Sequence, residues 1–162
     1  MPRISSPAEL DGFRKDIISI RDPNKPCIAV CTGTGCLALG AANVVTALKE
    51  EIQKQGLETE VVDIRETGCP GFCERGPLLV IYPEEICYLQ VEPGDAEEIV
   101  SKTIVAKKVI DRLLYVAPGT DTSDKIVRES EIPFYKNQMR NLIGNNIKID
   151  PKSIEDYLAV GG

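Results

Sequence analysis

Apolar residues recur along the chain in two rhythms, short continuous runs and stripes at helical spacing, and these mark out the elements. Ser5 or Ser6 ahead of Pro7 predicts a helix start, with the helix running to about Ile20 and Leu10, Phe13, Ile17 and Ile20 on one face. Cys27–Val30, between Pro26 and a glycine-rich loop, predicts a strand. A long helix is expected from about Cys36 to Gln55. Leu37, Ala41, Val44, Val45, Leu48 and Ile52 hold one stripe there, and Gly56 stands where a helix stops. Residues 60–64, 78–82 and 86–91 predict three more strands, the last two joined by a short hairpin at Pro83-Glu84-Glu85. Gly94-Asp95 opens a further helix through about Thr103, and another helical piece is expected from Ala106 to Leu114. The order is helix, strand, helix, three strands, helix, which is an α/β layer architecture.

The rhythm weakens after Leu114. Residues 116–131 are polar, contain Pro and Gly and read as a linker. Residues 132–162 hold scattered apolar positions, a turn at 144–146 and a short helix from Asp150-Pro151 through Leu158, too little to bury a core alone. The expectation is a first domain over residues 1–118. Residues 119–162 then form a linker and the leading edge of a further, truncated domain.

Composition narrows the function classes. With 43% hydrophobic residues in 162 the chain can build a real core, and its formal charge of −6 makes nucleic acid an unsuitable partner. No apolar run approaches the roughly 18 residues of a membrane span, and the N-terminus has no secretory pattern. Six cysteines in that context point to the cytoplasm and to metal or redox chemistry. The chain has no His, which removes His-based catalysis and His-ligated zinc or Rieske sites.

Four of the cysteines carry the chemistry. Cys31 and Cys36 lie in CTGTGC and Cys69 and Cys73 in CPGFC, giving C-x4-C, 32 intervening residues and C-x3-C. Both loops are glycine-rich, so backbone can approach closely and aim N–H groups at sulfur, as an iron–sulfur cluster requires. Gly33, Gly35, Gly68, Gly71 and Gly76 supply that freedom, and Cys36 falls at a helix start where negative charge is favoured. Arg75, with Arg65 as a second candidate, would offset the cluster's negative charge. Four-cysteine zinc sites and redox dithiols both favour C-x2-C, which is absent here, so [2Fe–2S] ranks above zinc and above a metal-free site.

The spacing resembles the thioredoxin-like [2Fe–2S] ferredoxins, a family that includes the 24-kDa-type subunit of complex I. The resemblance covers roughly residues 25–115, and the element order is compatible with their mixed sheet flanked by helices. It implies Cys31, Cys36, Cys69 and Cys73 as cluster ligands and one-electron transfer as the activity. The tail at 132–138, 141–144, 149–151, 153–159 and 161–162 resembles the start of the complex I flavoprotein (51-kDa-type) subunit. In several NADH-linked bifurcating hydrogenases and related reductases that subunit carries such a ferredoxin domain. The resemblance thus implies redox subunits of an NADH-linked complex as partners, a flavoprotein domain in cis, and a homodimer as in some members. FMN, NAD and a [4Fe–4S] cluster would belong to the part downstream, so these 162 residues alone are not expected to oxidise NADH.

Two competing readings remain. A four-cysteine zinc or metal-free assembly module without redox activity would use the same cysteines. Gly33-Thr34-Gly35-Cys36-Leu37-Ala38 also fits a dinucleotide-binding G-x-G-x-x-A, with Asp63 as the ribose acid, but that reading explains none of the four cysteines. Cys27 and Cys87 lie in strands and read as packed core thiols.

Overall fold

A computed structural model describes residues 3–57, 61–119 and 124–162. Helix α1 (Pro7–Ser19) begins as its sequence dictates. Ser6 Oγ accepts the Glu9 N–H at 3.2 Å, and the Glu9 carboxylate accepts the Ser5 N–H at 2.7 Å. Ile17 is buried on its inner face, whereas Ile20, expected on the same face, is 84% exposed because the helix has already ended.

Strand β1 (Cys27–Cys31) follows and is buried throughout. The single long helix expected from Cys36 to Gln55 is two helices, α2 (Thr34–Ala38) and α3 (Ala41–Lys54). Gly40, at φ +93°, turns the chain between them, a conformation a side chain would resist. Leu37 therefore leaves the apolar stripe and is exposed, while Val44, Val45, Leu48 and Ile52 stay on it. The predicted stop at Gly56 is a Schellman turn: Gly56 N–H bonds Gln53 C=O at 3.1 Å and Leu57 N–H bonds Ile52 C=O at 2.9 Å.

Strands β2 (Asp63–Thr67), β3 (Leu79–Tyr82) and β4 (Ile86–Tyr88) complete a four-stranded sheet in the order β2-β1-β3-β4. Strand β2 begins later than expected, and Glu60, its expected first residue, lies outside the described residues. β1 and β2 are parallel, while β1–β3 and β3–β4 are antiparallel. Helix α4 (Ala96–Glu98) runs on as a π-helical stretch, Ile99–Val105. The helix expected over 106–114 is a single 3₁₀ turn, Asp111–Leu113, followed by a short strand β5 (Tyr115–Val116).

Strand alternation sends two sets of side chains to opposite faces of the sheet. Ile28, Val30, Leu79, Ile81 and Tyr88 meet the stripe of α3 and the inner residues Ile99, Val100 and Ile104. On the other face Cys31, Val80 and Cys87 are covered by Ile132, Tyr135 and Ile147 of the tail. The segment read as a linker carries a strand and edge pairing among its described residues. Within it β6 (Lys125–Ile126) pairs with β5, and Cys87 N–H donates to Val127 C=O at 2.8 Å along the edge of β4. An open sheet edge leaves backbone groups unpaired, and this polar segment pairs them without any apolar alternation to announce it. The tail closes with α5 (Pro133–Lys136) and α6 (Ile154–Ala159), the latter capped by Ser153 and packed against α1.

Candidate metal centre

Parallel pairing brings the two cysteine loops together. Cys31, the last residue of β1, sits in register with Thr67, the last residue of β2, so both loops leave the same end of the sheet. Thr67 is fully buried and its Oγ1 donates to Val30 C=O at 3.0 Å, while Thr32 N–H donates to Thr67 C=O at 2.9 Å. These bonds tie the loop roots to each other. Cys31 and Cys36 are buried, Cys69 is half-buried and Cys73 is exposed.

The glycines explain how four sulfurs fit. A Cβ at Gly33 would lie 2.7 Å from Cys69 Cβ, one at Gly35 would lie 3.2 Å from Cys73 Sγ, and one at Gly76 would lie 2.8 Å from Cys36 Sγ. Each glycine thus lies against a cysteine of the opposite loop, close enough that a methyl group at Gly33 or Gly76 would force the loops apart. Gly71, at φ +104°, turns the second loop and donates its N–H to Cys69 Sγ at 3.3 Å.

The thiols sort into two pairs. Cys69 Sγ and Cys73 Sγ are 3.4 Å apart, and Cys31 shares a hydrogen bond with Cys36. That shared bond holds Cys31 well above the ordinary thiol value and lowers Cys36 to about 7, so the charge of the pair rests on Cys36. The bond to Cys69, with burial second, raises Cys73. Cysteine thiols on two facing loops are the soft donors that an iron–sulfur cluster takes.

The other sequence candidates separate from this centre. Cys27 opens β1 at the far end of the sheet, its Sγ 3.9 Å from Asp63 Oδ2, and burial pushes it up to about 11. Cys87 is fully buried within β4 and burial likewise raises it. Both pack as core thiols. Asp63 opens β2 at that same far end, away from Gly33 and Gly35. The space a dinucleotide would need beside those glycines is taken by Cys69 and Cys73. Arg75 ends the 3₁₀ turn that begins at Cys73, its guanidinium 6.0 Å from the Tyr115 ring. Arg65 is committed elsewhere, 3.3 Å from both Asp63 and Asp156 and bonded to Lys148 C=O at 2.7 Å. A cleft of about 810 Å³ lies at that far end, between Arg21, Cys27, Arg65 and Asp156, and includes neither cysteine loop.

Sequence reasoning missed the aromatic surround of the second loop. Phe72 lies between Cys69 and Cys73 and stacks on Phe134 with centroids 4.3 Å apart and planes 8° apart, and Tyr135 meets both rings edge-on. Two of the chain's three Phe meet here, but they are 62 positions apart and nothing in the local pattern couples them.

Comparison with known proteins finds relatives of this fold. The sequence pattern of the thioredoxin-like [2Fe-2S] ferredoxin family matches residues 16–104. A [2Fe-2S] ferredoxin of Clostridium pasteurianum is 37% identical over 78 residues, which are 48% of this chain and 76% of that protein. One from Aquifex aeolicus is 35% identical over 79 residues, 49% of this chain and 71% of its own. The crystal structure of the wild-type thioredoxin-like [2Fe-2S] ferredoxin from Aquifex aeolicus superposes with a TM-score of 0.53 at 29% identity. It covers 58% of this chain and 99% of the Aquifex chain.

Proposed function

Because this chain belongs to the thioredoxin-like [2Fe-2S] ferredoxin family, and is therefore a [2Fe-2S] electron carrier, we propose that Cys31, Cys36, Cys69 and Cys73 hold its cluster and that it works within an NADH-linked oxidoreductase. The observation that carries the ligand assignment is the close approach of Gly33, Gly35 and Gly76 to cysteines of the opposite loop, which sets Cys36 beside the second loop and Cys69 and Cys73 beside the first. The bound cluster supplies a one-electron couple. Cys31 and Cys36 keep one side of the site dry, and the exposed Cys73 leaves the other side open to a redox partner. Gly71 N–H points at Cys69 sulfur, as the N–H groups around a cluster ligand do.

The NADH-linked setting rests on the tail. In this reading residues 1–118 are the ferredoxin domain and residues 119–162 lead into a complex I-type flavoprotein domain. The partners are that domain in cis and further redox subunits in the cytoplasm. Among the described residues no helix is long and apolar enough to cross a membrane.

Two experiments test the two levels. Single Cys→Ser variants at 31, 36, 69 and 73 should each lose or alter the visible spectrum, while Cys27→Ser and Cys87→Ser keep full iron and sulfide content. A wild-type spectrum in any of the first four removes that ligand from the set. NADH with an NADH-oxidising flavoprotein of the complex I type should bleach the oxidised protein under anaerobic conditions. Reduction by dithionite without any by this couple would remove the NADH-linked setting and leave the electron carrier in place.

A further inference from the structure

Residues 132–147 lie beyond the span matched by the family, 16–104, yet they grip the second cysteine loop from several sides. Asn146 holds its root at two points: its C=O accepts the Gly68 N–H at 3.0 Å, and its Nδ2 donates to Cys69 C=O at 2.9 Å. Phe134 stacks on Phe72, the residue before Cys73, and Phe72 is buried as a result. A Cβ at Gly71 would lie 3.4 Å from Ile143 Cδ1 and 3.9 Å from the Phe134 ring, so the turn between the two cysteines is covered as well. The gripping segment is itself braced. The Arg140 guanidinium lies 4.3 Å from the Tyr135 ring centroid, and its Nη1 is 2.8 Å from Glu129 Oε1.

We propose that Asn146 and Phe134 are positioning residues for Cys69 and Cys73, and that residues 132–147 form a clamp that fixes the second cysteine loop and keeps water from its inner side. The inference rests on the reading above that Cys69 and Cys73 are cluster ligands. A loop of six residues, 68–73, with glycines at 68 and 71 has little stiffness of its own. Backbone groups that orient a metal ligand govern how firmly the metal is held, although they never touch it. The acceptor for Gly68 is backbone and any residue would supply it; Asn suits the position because its side chain adds a donor for the Cys69 carbonyl. Asp would keep the shape but turn the donor into a second acceptor facing a carbonyl, and would add negative charge beside a negative cluster.

The test uses the full chain with its cluster in place, in the variants Asn146→Ala, Asn146→Asp and Phe134→Leu. Bleaching by a strong iron chelator should be about tenfold faster for Asn146→Ala and Phe134→Leu, the scale of one lost hydrogen bond or stacked ring. It should be faster again for Asn146→Asp. Amide hydrogen exchange should accelerate at residues 68–73 and stay at wild-type rates in β1 and β3. Wild-type bleaching and exchange at 68–73 in all three variants would overturn the clamp. So would exchange that rises across the whole sheet, which would mark a merely structural role. The ligand reading has its own control: if Cys69→Ser and Cys73→Ser retain the wild-type cluster, that reading fails. If they lose it while the Asn146 and Phe134 variants match wild type, only the clamp fails.

Discussion

Gly33→Ala isolates the approach of the two loops. Gly33 sits at φ −63° and ψ 159°, backbone that any residue adopts, so alanine brings no conformational penalty. Its methyl group would stand 2.7 Å from Cys69 Cβ and 3.3 Å from Cys69 Cα. Ordinary carbon contact begins at about 3.5 Å, so the loops must part by about 0.8 Å. Overpacking of this kind costs about 1–3 kcal/mol. Loss of glycine's freedom in the unfolded chain returns about 0.4–1 kcal/mol. The net expectation is a cluster-free chain less stable by about 1–2 kcal/mol, which is a drop of several degrees in Tm for a chain of this size. Urea denaturation of the reduced, cluster-free protein measures it. Gly12→Ala is the control: it lies within α1 with nothing among the described residues within 4 Å of the added methyl, and should gain up to about 1 kcal/mol. A Gly33→Ala protein as stable as Gly12→Ala, with a full complement of iron, would refute the claim that these loops abut.

Other perturbations probe the surroundings. Tyr135 is 3% exposed and its hydroxyl has no hydrogen-bond partner among the described residues, so Tyr135→Phe should leave the cluster-free chain as stable or up to about 1 kcal/mol more stable in urea; a loss above that size would mean the hydroxyl is bonded. Cys87 is fully buried against Val80 and the tail, so Cys87→Ser should destabilise by about 1–3 kcal/mol through an added hydroxyl, and Cys87→Ala should cost less. At Asp156, burial alone would raise the carboxyl. The Asp150 N–H at 2.8 Å, Arg21 at 2.7 Å and Arg65 outweigh it and hold the carboxyl below its ordinary value. Its stabilising effect is therefore complete above the unfolded aspartate pKa, about 3.9, and is lost as pH falls through the lower folded value. Asp156→Asn should be less stable at pH 7 and show a shallower acid transition, while an unchanged acid transition would contradict the pairing.

The centre of the fold was legible because its signals are local. Cys27–Val30, the α3 stripe and the stop at Gly56 each carry their own pattern, and glycines spaced around cysteines announce a close approach of backbone to sulfur. The break at Gly40 escaped because Leu37 keeps helical spacing with Ala41. Only the three-dimensional demand that Cys36 face the second loop while α3 faces the sheet separates them. The ordered edge at 125–131 escaped for a different reason. It is held by backbone pairing to β4 and β5, which leaves no mark on side-chain rhythm. Asn146 and Phe134 were invisible because their partners, Gly68, Cys69 and Phe72, are more than 60 positions away. The absence of His decided much at the outset, since it left cysteine as the soft donor for any metal.

The central claim is that two facing pairs of cysteines, on loops from one end of the sheet, hold a binuclear iron–sulfur cluster. The most direct test is an iron and sulfide count on anaerobically prepared protein, joined to an EPR spectrum after reduction with dithionite. About two irons and two sulfides per chain are expected, with a rhombic signal from the reduced protein. Colourless protein with about one zinc and no signal on reduction would contradict it and leave a structural four-thiolate site.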